Sequence, residues 1–210
     1  MPLASGGLFT ADLIQNAPAY GVEGCRLCLG LGIVFDPQGA GPTRGAFTIC
    51  ECLKASCLCE GRPPYDYYNA EKNAMLPCVD RQARLALDRI AFFRRKSAIP
   101  GRYQNVFLDL SLRYDHLEGP ARTMFLVALD EAREVVKTYQ SQPRGLYLYG
   151  PTGSGKTLLS CAILNEILRL YQTGVQYAKI SRDVLGKLKA TFNPNSENYG
   201  EGQAIEERLG

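Results

Sequence analysis

Two sets of residues in this sequence have types and spacings that can do chemistry. The first is Gly150-Pro151-Thr152-Gly153-Ser154-Gly155-Lys156-Thr157, which fits the phosphate-loop pattern G-x-x-x-x-G-K-[ST]. Each residue type there has a physical task. Gly150, Gly153 and Gly155 let the backbone curl around an anion in conformations that a Cβ would obstruct. The loop N–H groups then face phosphate oxygens. A helix starting at Lys156 adds the positive end of its dipole. Lys156 reaches the β- and γ-phosphates of ATP, and the Thr157 hydroxyl ligates Mg²⁺. The expected nucleotide contacts are Gly150, Pro151, Thr152, Gly153, Ser154, Gly155, Lys156, Thr157 and Leu158. The competing reading is an ordinary glycine-rich turn. The apolar stretch Leu146–Tyr149 before the loop and the helical pattern after it favour the nucleotide site.

The second set is the cysteines. Seven of the eight fall between Cys25 and Cys78, while Cys161 stands apart on the helix after the loop. Cys25-Arg26-Leu27-Cys28 is a C-x-x-C knuckle, which turns both sulfurs toward one point. Ile33–Phe35 and Ala46–Ile49 flank a Gly/Pro-rich middle and predict a hairpin. That hairpin brings Cys50 and Cys52 back beside the knuckle, with Cys57 and Cys59 as rivals for the second pair. Four thiolates at this spacing suit tetrahedral Zn²⁺ in a closed, structural site. Free thiols and an iron–sulfur cluster are the alternatives. Cys78 is the leftover, and Cys161 reads as a small buried residue.

These residues need elements to position them. A chain of 210 residues with a 46% hydrophobic share can bury a core, and a net charge of +3 does not by itself argue for nucleic acid. Met1 to Thr10 lacks a basic n-region and an apolar h-region, and no long apolar run spans a membrane. The expectation is a cytoplasmic protein. A reducing compartment favours metal ligation over disulfides.

Along the chain, Ala11 to Gln15 can start a short helix, and Arg62 to Pro77 reads as a connector. Asp80 is a candidate N-cap for a basic helix ending near Lys96. Arg81, Arg84, Arg89, Arg94, Arg95 and Lys96 there outnumber the lone Asp88. Such a helix is either a solvated face packed on its neighbours or a contact for phosphate or an acidic partner. Gly119 to Tyr139 has helical apolar spacing, with Pro120 in its first turn. The helix from Lys156 runs to Tyr171 and Gly174 stops it. Val175 to Ile180 reads as a strand, Asp183 to Phe192 as a helix, and Ala204 to Leu209 as the start of another. The expected fold is α/β: an incomplete parallel P-loop sheet with flanking helices, preceded by a small cysteine-rich zinc module and a basic helix. The corresponding divisions are 1–80, 81–98 and 99–210. Hydrolysis also needs an acidic residue ending an apolar strand. Val175–Ile180 leads instead into Ser181-Arg182. The expectation is therefore a chain that stops before that carboxylate, with no ATPase activity in these 210 residues alone and slow turnover in a longer form.

From about Cys25 onward the chain resembles the AAA+ helicase-loader ATPases of the DnaC/DnaI type, with the IstB-like transposition helpers as close relatives. The cysteine module Cys25–Gly32, the helix leading into Ser97-Ala98-Ile99-Pro100-Gly101-Arg102-Tyr103 and the loop at 146–157 carry the likeness by their order and spacing. The resemblance implies an amino-terminal module that grips a replicative DNA helicase and an ATPase domain that binds ATP and single-stranded DNA. It also implies a helical insertion at Asp183–Phe192, offering Lys187 and Lys189 to DNA phosphates, and the capacity to form homo-oligomers. The stretch Leu53–Pro77, with its extra cysteines, departs from the family pattern. Competing readings are a transposition helper, a small-molecule kinase with a P-loop, and a zinc and nucleic-acid binding module without activity. The kinase reading does not account for the cysteine module.

Overall fold

The computed structural model describes residues 13–14, 16–37, 45–108, 112 and 114–180, together with 183, 185, 189, 191 and 192. Contacts divide the chain into two units, Met1–Val175 and Gln176–Gly210. In the first unit, strands β1 (Ile33–Asp36) and β2 (Ala46–Ile49) form an antiparallel pair, followed by the single-turn helix α1 (Glu51–Lys54). A second antiparallel pair, β3 (Asp66–Asn69) and β4 (Ala74–Pro77), leads into α2 (Arg81–Lys96). A 3₁₀ turn at Gly101–Tyr103 precedes the helices α3 (Gly119–Lys137) and α4 (Lys156–Tyr171). The first unit is therefore mixed α/β, with two small antiparallel sheets and four α-helices among its described residues.

The first hairpin follows from its alternation. Its register pairs Ile33 with Ile49 and Phe35 with Phe47, so the apolar members share one face. Ile33, Ile49 and Leu53 of that module pack with Ala83, Ala86 and Ile90 of α2 and Leu168 of α4. The basic helix thus buries a narrow apolar stripe and leaves most of its cations outside it. A larger core joins Leu129, Ala132, Val135 and Val136 of α3 to Leu159, Ala162, Ile163, Ile167 and Leu170 of α4. Each of the Leu, Ile and Val side chains there contributes about 1.5–3 kcal/mol on burial. Polar anchors fix α4 further. Asn165 Nδ2 donates to the carbonyls of Tyr103 and Val106 at 2.7 and 2.9 Å. The Tyr171 hydroxyl donates to Val136 O at 2.8 Å.

Two elements differ from the expectations. The connector expected at Arg62–Pro77 contains β3 and β4. Its turn is held by the Lys72 N–H donating to Asn69 Oδ1 at 2.9 Å, with Asn73 at φ 49°. Asparagine tolerates that left-handed conformation, so the turn closes without glycine. The parallel sheet is the other case. Among the described residues, Leu146–Tyr149 and 175–180 are paired in no ladder. Leu146–Tyr149 still keeps a strand-like alternation, with Leu146 and Leu148 packed on the larger core and Tyr147 and Tyr149 outside it.

In the second unit, the Lys179 N–H donates to Asp183 Oδ2 at 2.8 Å. Of the helix expected at Asp183–Phe192, Leu185, Lys189 and Thr191 are helical. The helix expected at Ala204–Leu209 lies outside the described residues. Among the described residues, no helix is long and apolar enough to cross a membrane.

Candidate functional site

The loop at 150–155 turns directly into α4, whose first residue is Lys156. Gly150, Gly153 and Gly155 have φ of 144°, 87° and 84°, backbone conformations that L side chains rarely adopt. Gly155 occupies the position before the helix, so the free N–H groups of the first turn open toward the loop. Lys156 Nζ lies over the curl and donates to Gly150 O at 2.9 Å and Pro151 O at 2.7 Å. Ser154 Oγ is 3.3 Å from the same amine. Thr157 is exposed on the first turn, and Leu158 is half-buried against the larger core. The residues expected to contact nucleotide therefore sit in one continuous turn at a helix N-terminus. This arrangement can receive an anion through backbone N–H groups, a helix dipole and one mobile ammonium.

Two further groups of side chains can hold a metal ion: Cys25, Cys28, Cys50 and Cys52 in one, and Cys57, Cys59, Cys78 and Asp80 in the other. In the first, the knuckle is closed by Leu29 N–H donating to Cys25 O at 2.8 Å and Leu31 N–H donating to Cys28 O at 2.9 Å. The strand register then delivers the second pair. Ile33 opposes Ile49, and the Cys50 N–H donates to Gly32 O at 2.9 Å. Cys50 also opens α1, since Leu53 and Lys54 donate to its carbonyl, and that turn carries Cys52. Cys25 Sγ lies 3.8 Å from Cys50 Sγ, and Cys28 Sγ lies 3.7 Å from Cys52 Sγ. A zinc tetrahedron with Zn–S bonds of about 2.3 Å has S···S edges of about 3.8 Å. A disulfide needs about 2.05 Å. The cluster therefore has ligand geometry while all its cysteines are free.

Electrostatics agrees with that chemistry. The backbone N–H groups of Cys28 and Leu27 hold the Cys25 thiol down at about 7. Burial pushes the Cys28 and Cys50 thiols up. Several thiolates crowded in a buried site repel each other, and a divalent cation supplies the charge that lets all of them ionise.

Cys57 and Cys59, the rivals for the second pair, are not drawn into the first cluster. They meet Cys78 and Asp80, so Cys78 is no leftover. Asp80 precedes α2 as expected, but its side chain makes no capping hydrogen bond. Instead Oδ2 accepts from Arg84 Nε at 2.7 Å and Oδ1 lies 3.5 Å from Cys59 Sγ. Asp80 and Arg84 are the members of this group that cysteine counting passes over. The available signal was the spacing Cys78-x-Asp80, which puts a carboxylate two residues beyond a leftover thiol. Of the expected DNA contacts, Lys189 is exposed in the second unit, and Lys187 lies outside the described residues. Comparison of this chain with protein-family models, curated proteins and solved structures finds no match.

Proposed function

We propose that this chain is an ATP-binding protein of the helicase-loader kind, which couples nucleotide binding to a replicative helicase and single-stranded DNA. The observation that carries the reading is the loop at 150–156: three glycines at positive φ deliver Lys156 to the start of a long buried helix. In this reading the triphosphate takes the place of the carbonyls around Lys156 Nζ, and the Thr157 hydroxyl ligates Mg²⁺. The metal held by Cys25, Cys28, Cys50 and Cys52 is Zn²⁺. It fixes the amino-terminal module as a rigid surface for the helicase, and Lys189 contributes to DNA phosphate contact. The order of the cysteine module, the basic helix and the phosphate loop supports the loader assignment over a kinase.

The test is Mg²⁺–ATP binding by calorimetry with the wild type and Lys156→Ala. Removing a charged hydrogen-bond donor to phosphate costs about 1.5–3 kcal/mol, so affinity should fall roughly tenfold to a hundredfold. Equal affinity in the two proteins overturns the nucleotide reading. Capture of the replicative helicase that is lost in Cys25→Ser supports the loader assignment. Capture of a transposase in its place points to a transposition helper.

A further inference from the structure

Three short elements converge at Cys57, Cys59, Cys78 and Asp80. Cys57 and Cys59 lie in the turns after α1, Cys78 directly follows β4, and Asp80 directly precedes α2. Cys59, Cys78 and Asp80 are buried, and Cys57 is half-buried. Cys57 Sγ lies 3.6 Å from Cys59 Sγ and 3.9 Å from Cys78 Sγ. Cys59 Sγ lies 3.5 Å from Asp80 Oδ1. Tetrahedral zinc with bonds of about 2.3 Å to sulfur and 2.0–2.2 Å to oxygen has S···S edges of about 3.8 Å and S···O edges of about 3.6 Å. Three of the six edges therefore match those that one zinc ion requires, and all four ligand atoms lie within 4.8 Å of one another.

We propose that Cys57, Cys59, Cys78 and Asp80 form a second zinc centre, distinct from the four-cysteine one, with Asp80 Oδ1 as its oxygen ligand. The two ligand sets share no residue. The surroundings are those of a metal ligand rather than of an ordinary ion pair. Arg84 Nε donates to Asp80 Oδ2, which leaves Oδ1 turned to Cys59 Sγ. Arg84 Nη2 reaches to 3.8 Å from Cys57 Sγ, so one guanidinium touches two ligands. The guanidinium is seated against Gly61, where a Cβ would come within 2.8 Å of Nη1. The Leu58 N–H, from the turn that carries Cys57 and Cys59, donates to Cys78 Sγ at 3.3 Å, a contact that a ligating thiolate accepts. An i,i+4 salt bridge between Asp80 and Arg84 alone gives no reason for three cysteines to gather beside the carboxylate. Three thiolates and a carboxylate carry four negative charges. Zn²⁺ and Arg84 reduce them to one. Soft sulfur ligands in a tetrahedral set select zinc over Mg²⁺ or Ca²⁺.

This centre would tie the β3–β4 hairpin to the start of the basic helix, and it stands independently of nucleotide binding. The test is metal content and Co²⁺ titration of the full chain. Wild type should carry two zinc ions per chain and bind two Co²⁺, both with the intense sulfur-to-cobalt absorption. Cys57→Ala should retain one ion, as should Cys25→Ala, and the double variant none. Asp80→Cys keeps four ligands, so it should still bind two Co²⁺ while adding sulfur-to-cobalt intensity at one site. A wild type that binds a single ion, lost in Cys25→Ala and unaffected by Cys57→Ala, overturns the proposal. So does iron with inorganic sulfide in place of zinc. The Co²⁺ stoichiometry of the folded wild type decides the matter even if a variant fails to fold.

Discussion

Glu166, wholly buried on α4, accepts a hydrogen bond from the backbone N–H of Leu108 at 3.0 Å. Its other oxygen pairs with Arg169 Nε one turn later, and the Arg169 guanidinium lies 5.2 Å from the centre of the Phe107 ring. A single carboxylate thus joins the segment entering the larger core to the helix that carries the phosphate loop. Breaking a buried ion pair by removing one partner costs about 3–5 kcal/mol. Glu166→Ala should lower stability by that amount in urea unfolding. Replacing both partners with apolar residues of similar size, Glu166→Leu with Arg169→Met, should cost much less. A double variant no more stable than Glu166→Ala would show that the hydrogen bond to Leu108, and not charge pairing, dominates.

A second expectation concerns the approach of two glycines behind the first cluster. Gly32 has φ of 74°, and a Cβ there would lie 2.9 Å from both Gly21 N and Leu53 Cδ1. Leu53 can shift, but the Gly21 backbone cannot without moving the knuckle that follows it. Gly32→Ala should therefore cost at least the 1–3 kcal/mol of a strained left-handed residue. Gly24→Ala is the control, since φ there is 76° but nothing lies within 4 Å of the added Cβ. It should show the strain cost without the clash, and so keep metal affinity. Equal metal affinity in wild type and Gly32→Ala would remove the packing argument.

The legible parts of this molecule were those set by local pattern. The first hairpin was read from alternation in Ile33–Phe35 and Ala46–Ile49, and the C-x-x-C knuckle from spacing. The helices α2 and α4 were read close to their ends, because a basic run and the residues after the phosphate loop carry their own periodicity. The second hairpin was not read. Its strands are four residues long, Pro77 ends one of them, and Asn73 closes the turn where glycine is the usual signal. Asp80 was read correctly as the residue before a helix, yet its carboxylate serves Arg84 and the cysteines. A cap is a local device, whereas the cluster depends on the β3–β4 pairing that delivers Cys78. The pairing of Leu146–Tyr149 is likewise non-local, because a strand needs partners that its own alternation does not name.

Metal removal should separate the first small sheet from the helices. The first cluster joins the knuckle, the end of β2 and α1 through side chains that have little apolar core of their own. Stripping metal with a strong chelator should abolish amide protection over residues 25–37 and 45–54 before it affects α3, whose buried face lies against α4. Hydrogen exchange with and without chelator reads this directly. Undiminished protection of β1 and β2 in metal-free protein would mean that the thiols hold the module by packing alone.

Self-association is expected through the extended segment before the phosphate loop. Tyr147 and Tyr149 are 85% and 81% exposed, and their rings stack at 6.3 Å. Leu146 and Leu148 face the core from the same segment, which carries no charge between Gly145 and Gly150. Among the described residues no ladder covers it, so its backbone donors and acceptors have no strand partner among them. Exposed edges of high β-propensity and low charge template pairing with another copy. Sedimentation velocity should therefore show association rising with concentration across the micromolar range. Tyr147→Lys with Tyr149→Lys should suppress it by charge repulsion while changing stability by no more than about 0.5 kcal/mol per site, as exposed positions do. A monomer at all concentrations would sink the prediction. Association that persists in the lysine variant would place the contact elsewhere, and the basic helix α2, with Phe92 exposed, would be the next surface to test.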